Sequence, residues 1–147
     1  MPKLTLLSGL PGSGKSTTAE QLVKQNRNAI RVNKDSLREM FYFLPKDWGG
    51  PDSKLFRPSV EEEVFEAEQL LASFFLERGF DVIVDDTNLR PRYVIPFQAI
   101  AESLKAEFEL IKLTVDVETC IERDKNRKHS VGENVIRQLA KVRDRQQ

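Results

Sequence analysis

Gly9-Leu10-Pro11-Gly12-Ser13-Gly14-Lys15-Ser16 decides the fold. The stretch fits G-x-x-x-x-G-K-[ST] in full. The apolar run Lys3–Ser8 precedes it and reads as a buried strand. Lys15–Asn26 follows, with Ala19, Leu22 and Val23 spaced as on one side of a helix. A strand, a glycine turn and a helix are the context in which this pattern cradles phosphates. Gly12 and Gly14 let the backbone turn so that its N–H groups, that of Ser13 among them, point at the anion. The helix N-terminus adds partial positive charge. Lys15 reaches for the β- and γ-phosphates, Ser16 offers a hydroxyl to Mg²⁺, and Thr17 stands near the α-phosphate. The stretch reads as a nucleoside triphosphate site.

Working outward, short apolar strands alternate with helical patterns. Strands are expected at Ala29–Asn33, Asp81–Val84 and Phe108–Val115. Asp35 or Ser36 is expected to cap a helix carrying Leu37, Met40, Phe41 and Leu44, with Phe41 in the core. Pro45–Pro58 reads as loop. Ser59 and Glu62 have capping-box spacing. Val60, Val64, Ala67, Leu71 and Phe74 then keep helical spacing as far as Gly79. Pro91–Leu104 is expected to be helical, kinked or delayed by Pro96. Glu118–Asn126 and Glu133–Arg145 complete the chain. The alternation implies an α/β fold: a three-layer sandwich, a parallel sheet with helices on both faces. Ligands in such sheets bind beyond the C-terminal strand ends. Gly9–Thr17, Asn33–Arg38, Asp85–Asn88 and the region after Asp116 are therefore the segments to read.

The chain has 147 residues, 31% charged and 39% hydrophobic. This is the size of one domain, expected to span 1–147. No apolar run approaches the roughly 18 residues that cross a bilayer, and the N-terminus is too short in apolar character for a signal peptide. A single cysteine, Cys120, excludes an internal disulfide and suits a reducing, cytoplasmic setting. Cys120 itself reads as core. Charge balances at 23 positive and 23 negative, which argues against nonspecific coating of nucleic acid. Residues 120–147 nevertheless hold 8 lysines and arginines against 4 acids, so the C-terminal end is cationic.

Asp35 follows the second strand, and Arg38 lies three residues on, on the same helical face. A carboxylate there can orient an attacking hydroxyl and take its proton, and an arginine can hold an anionic acceptor. Asp85-Asp86-Thr87-Asn88 follows the third strand. An acid there orients Mg²⁺ or its water shell, and Asp86 is favoured over Asp85. Arg123 and Arg127, with Lys125 and Lys128, form a basic lid in which Arg127 is the preferred catalytic arginine and His129 a solvated residue. Trp48 and Phe56 are candidates for local packing or for stacking on an acceptor base. A GTPase is not indicated: Asn33-Lys34-Asp35-Ser36 ends in Ser where a guanine-reading motif needs Asp. Asp47-Trp48-Gly49-Gly50 fits D-x-x-G but follows no strand. A motor ATPase needs far more chain. What remains is a small kinase.

Together the segments Gly9–Thr17, Val32–Arg38, Asp86-Thr87-Asn88-Leu89, and Arg123 with Arg127 resemble the P-loop kinase domain of bacteriophage-type polynucleotide 5′-kinases. The resemblance implies transfer of the ATP γ-phosphoryl to a 5′-hydroxyl of DNA or RNA, with Mg²⁺. It implies Lys15, Asp35 and Arg127 as catalytic residues, Asp35 being the general base. Gly12, Ser13, Gly14, Lys15, Ser16, Thr17 and Arg123 would bind ATP, with Val131 and Val135 beside the adenine. Arg38, Asp86 and Thr87 would bind the acceptor, Arg38 holding the phosphate next to its terminal nucleoside. Ser16, and Asp86 directly or through water, would hold the metal. The chain departs from the family at Lys34, where arginine is common, and at Trp48-Gly49-Gly50-Pro51, which has no clear counterpart. The neutral charge leaves open a small-molecule acceptor (a nucleoside, sugar or antibiotic). A nucleotide-binding switch without catalysis is the third class, against which Asp35 counts.

Overall fold

The computed structural model describes residues 1–46, 48–127 and 130–145. Its elements are β1 (Lys3–Ser8), α1 (Lys15–Gln25), β2 (Ala29–Val32), α2 (Lys34–Tyr42), α3 (Glu61–Glu77), β3 (Asp81–Asp85), α4 (Pro91–Ser103), β4 (Glu107–Lys112), α5 (Val117–Lys125) and α6 (Glu133–Arg145). The described residues form an α/β fold around one four-stranded parallel sheet of order β2-β3-β1-β4. Leu4 pairs with Val82 and Phe108, and Leu7 with Asp85 and Ile111, so β1 is central.

Side chains alternate across the strands, and both faces are apolar because both are covered. Leu4, Leu6, Val82 and Val84 meet Ala72 and Leu76 of α3 and Phe97 and Ala101 of α4. Leu7 and Ile83 point the other way, against Ala19 of α1. A separate cluster joins Leu10 and Leu89 to Cys120, Ile121, Ile136 and Ala140, and so fastens α5 and α6 beside the phosphate loop. Cys120 is buried, as expected.

Several local expectations are corrected. The cap of α2 is Asn33, whose side chain accepts from Ser36 N at 2.7 Å; Asp35 lies inside the first turn and is free for other contacts. Ser59 and Glu62 make no capping box: a 3₁₀ turn at Pro58–Val60 leads into α3 without a side-chain cap. The buried stripe of α3 is Val64, Glu68, Ala72 and Leu76, a step of four, while Phe74 is 47% exposed. Phe41 is 46% exposed rather than core, because only Leu37 of α2 turns inward. Pro96 neither delays nor ends α4, which begins with Pro91 in its first turn. β4 stops at Lys112, short of Val115.

The cap assignments separate cleanly in a stability measurement. Asn33→Ala is expected to cost about 1 kcal/mol in urea unfolding, whereas Ser59→Ala stays within about 0.5 kcal/mol of the parent.

Candidate functional site

The phosphate loop leaves β1 between β3 and β4, where chain order reverses. Gly12 (φ 83°) and Gly14 (φ 92°) take the left-handed conformation that glycine tolerates. Gly12 carries a second constraint: a Cβ there would lie 2.7 Å from the Cys120 carbonyl oxygen. The loop backbone therefore rests directly on α5. Arg123 of α5, expected to bind ATP, donates to Gly12 O at 3.0 Å and so lies against the loop. Ser13 is buried, and its hydroxyl has no partner among the described residues. Ser16 and Thr17 are exposed in the first turn of α1. Lys15 folds back onto Gly9 O (3.1 Å) and Leu10 O (2.9 Å). Burial pushes its pKa down to about 8, against the pull of Asp85, Asp86 and Asp35, and with further repulsion from Arg127. The charges of Asp35, Arg127 and the acid pair are thus all felt at one ammonium group.

The two acids at the end of β3, Asp85 within it and Asp86 just after, part ways. Asp85 pairs with Arg31 of β2, whose Nε lies 2.9 Å from Oδ2. Burial raises its pKa while Arg31 opposes the rise. Asp86 accepts from the Lys34 backbone N–H (2.9 Å) and from Lys34 Nζ (3.2 Å). Asp85 is also the foremost attractive charge at Lys15, so both acids bear on the phosphate loop. Asn88 (φ 44°) brackets this turn to β1: its side chain donates to Leu7 O at 2.8 Å, and its carbonyl accepts from the Ser8 hydroxyl at 3.1 Å. Thr87 O accepts from Gly9 N at 3.0 Å, so Thr87 abuts the start of the loop.

Glu68 is the residue that periodicity missed. It is fully buried, and its Oε1 lies 3.4 Å from Lys34 Nζ. Burial and the Asp86 charge drive its pKa well above the usual carboxylate range. The ammonium of Lys34 opposes burial at Asp86, whose pKa falls. Burial and the neighbouring Asp86 thus work against ionisation at Glu68, while Lys34 favours it at Asp86. Lys34, flanked by the Phe65 and Tyr93 rings at 5.0 and 4.9 Å, keeps its charge.

On α2, Arg38 Nη1 donates to Asp35 Oδ1 at 2.9 Å, so the expected shared face is real. Arg38 also forks onto Glu61 at the start of α3, with Nε–Oε1 2.9 Å and Nη2–Oε1 2.5 Å. Glu61 is a partner that only the tertiary fold supplies. Trp48 closes the group from the loop, its indole N–H donating to Asp35 Oδ1 at 3.0 Å.

The cationic end is organised by Asp124, another residue the reading of the sequence passed over. It is buried and accepts from the backbone N–H groups of Val131 and Gly132, each at 3.0 Å. Arg127 Nη1 lies 4.0 Å from the same carboxylate. Val131 is half-buried near Gly50, where an added Cβ would lie 3.3 Å from its side chain. Val135 is half-buried on α6. Lys128, His129 and the Asp47 of the D-x-x-G pattern lie outside the described residues.

The AAA_33 family, described as an AAA domain, matches residues 4–146. The chain belongs to this family of P-loop kinase domains. It is 26% identical over 140 residues to an L-seryl-tRNA(Sec) kinase of Methanococcus maripaludis, covering 92% of this chain and 50% of that one. It is 31% identical over 132 residues to a putative bifunctional polynucleotide kinase/RNA ligase of Autographa californica nuclear polyhedrosis virus, covering 85% of this chain and 18% of that one. A chain of the Pnkp1/Rnl/Hen1 RNA repair complex superposes with a TM-score of 0.79 at 26% identity, over 98% of this chain and 44% of that one. The kinase domain thus spans half or less of the length of these relatives. The resemblance to polynucleotide kinases read from the motifs is found again in whole-chain sequence and in structure.

The lowered pKa of Lys15 gives a pH signature. A triphosphate needs the charged amine. Below about pH 8 the amine is charged with or without nucleotide, so affinity is flat. Above it, binding must take up a proton, and affinity falls by up to about tenfold per pH unit. Metal-free ATP titrations from pH 7 to 9.5 by calorimetry, in buffers of different ionisation enthalpy, should show both the fall and the proton uptake.

Proposed function

We propose that this kinase domain transfers the γ-phosphoryl of ATP to the 5′-hydroxyl end of a nucleic acid. The carrying observation is the Asp35–Arg38 pair, 2.9 Å apart on the first turns of α2, with the Asp35 charge felt at Lys15. A carboxylate and a guanidinium side by side suit an acceptor with a hydroxyl to deprotonate and a phosphate to anchor nearby. The polynucleotide kinase relatives support the same reading.

In this mechanism the phosphate loop and Lys15 hold the triphosphate. Asp35 accepts the proton of the attacking hydroxyl. Oδ1 already takes bonds from Arg38 and Trp48, which leaves Oδ2 for that proton. Arg38 turns a donor from Glu61 to the acceptor phosphate. Thr87, held against Gly9 at the loop entrance, lines the acceptor side. Arg127, whose charge is felt at Lys15, stabilises charge on the transferring group, and Arg123 braces the phosphate loop. Val131 and Val135 offer apolar contact to the adenine. The donor set fits Mg²⁺ carried mainly by the triphosphate: Ser16 presents an exposed hydroxyl, and Asp86, both of whose oxygens accept from Lys34, would reach the metal through water. When bound, the ion neutralises phosphate charge.

The test is transfer of labelled γ-phosphate to a 5′-hydroxyl oligonucleotide, beside a 5′-phosphorylated control and a panel of nucleosides and sugars. Label on the 5′-hydroxyl oligonucleotide alone is expected; label only on a small molecule overturns the acceptor and keeps the kinase. Asp35→Asn should lower kcat by about 10²-fold or more with ATP affinity nearly unchanged. Arg38→Ala should chiefly raise the acceptor KM, and steady-state kinetics in both substrates reads the split.

A further inference from the structure

The loop between α2 and α3 is the part of the chain that the resemblance does not explain, and it is highly built. Gly49 (φ 89°) and Gly50 (φ 81°) turn the backbone sharply just after Trp48. Gly50 is buried against Val131, where any side chain would crowd at 3.3 Å. Two successive turns follow, Ser53 N to Gly50 O at 3.0 Å and Phe56 N to Ser53 O at 3.2 Å. They carry the chain back so that Phe56 stacks on Trp48, with centroids 4.6 Å apart and planes at 19°. The Arg38 guanidinium carbon stands 5.2 Å from the Trp48 ring centroid and 5.8 Å from that of Phe56.

All of this aims one N–H. The indole Nε1 lies 3.0 Å from Asp35 Oδ1, the same oxygen that Arg38 holds from within its own helix. The Asp35 side chain is 47% exposed, so helix packing alone does not fix its rotamer. Two donors converging on one oxygen do fix it. An indole N–H only donates, and its ring is held by stacking rather than by a flexible stem.

We propose that Trp48 is a positioning residue for phosphoryl transfer: its Phe56-backed indole N–H locks Asp35 so that Oδ2 is the oxygen presented to the acceptor hydroxyl. The assignment rests on the reading of Asp35 as the base. It gives the Trp48–Phe56 loop a task at the reacting centre rather than on a distant nucleobase.

Trp48→Phe keeps an aromatic ring on Phe56 and removes the N–H. With ATP and a 5′-hydroxyl oligonucleotide, kcat is expected to fall about tenfold or more, while both KM values move less than about threefold. Because the two residues act as a unit, Trp48→Phe should cause no further loss in the Asp35→Asn background. A merely structural role would lower activity equally in both backgrounds. Phe56→Leu is the second variant, and it retains the N–H. Trp48 is the sole tryptophan, so its emission reports the loosened ring directly, and kcat should fall as the emission shifts to the red. Transfer by the parent with full kcat in Trp48→Phe overturns the assignment. So do additive losses, an effect confined to the acceptor KM, or a red shift in Phe56→Leu with kcat intact. A parent that phosphorylates no hydroxyl acceptor overturns the base reading and this assignment together, and is told apart by that parent measurement.

Discussion

A single ammonium group ties α2 to the sheet. Lys34 opens α2, and its backbone N–H and Nζ both bind Asp86 at the end of β3, with Glu68 of α3 behind. Three elements distant in sequence are thereby joined at the N-terminus of α2, one residue before Asp35 and four before Arg38. A charge this buried is costly to bury and still more costly to leave unpaired, removal of one partner typically costing about 3–5 kcal/mol. The cluster therefore confers less net stability than definition of position. Glu68 matters for the balance, because burial and the neighbouring Asp86 push its pKa upward while Lys34 pulls it down.

From that anchor the site builds outward. The first turn of α2 places Asp35 and Arg38 on one face. Arg38 then reaches across to Glu61 at the start of α3, and Trp48 comes down from the intervening loop onto Asp35. On the other side of the phosphate loop, Gly12 lets the backbone lie on the Cys120 carbonyl, and Asp124 gathers the chain after α5 by accepting from Val131 and Gly132. Each side of the phosphate loop is braced by a buried carboxyl, Asp124 on one and Glu68 on the other. They meet where Gly50 packs against Val131.

Glu61 and the acceptor phosphate would compete for the same guanidinium. Without an acceptor, Arg38 is paired and does not hold a bare charge in a half-covered cleft. With one, a phosphate can take over the fork that the carboxylate occupies. A neutral small molecule offers no such exchange, which is the physical reason for proposing an acceptor that bears phosphate. Charge balances overall, and the positive excess lies at the C-terminal end, where residues 120–147 hold 8 lysines and arginines against 4 acids.

The phosphate loop, the order of elements and the Asp35–Arg38 spacing were legible in the sequence, because each is set by residues within a turn or two of one another. Backbone conformation, helical spacing and strand alternation are short-range properties, and parallel β-α alternation then leaves few ways to assemble the sheet. The local misreadings are of a kind. Ser59, Phe41 and Pro96 have the right chemistry for a cap, a core position and a break, but their neighbours in space take those roles or overrule them. Glu68 was hidden by its own charge, since a buried acid in an apolar stripe is recognisable only once Lys34 and Asp86 are seen around it. Glu61 on Arg38, 23 positions away, and Trp48 on Asp35, 13 away, left no local trace. The sequence alone determined the phosphate-loop fold and set an acid and an arginine on one face of the helix after the second strand. Only the tertiary structure decided how those groups are held, because a side chain's orientation depends on partners that long-range packing delivers.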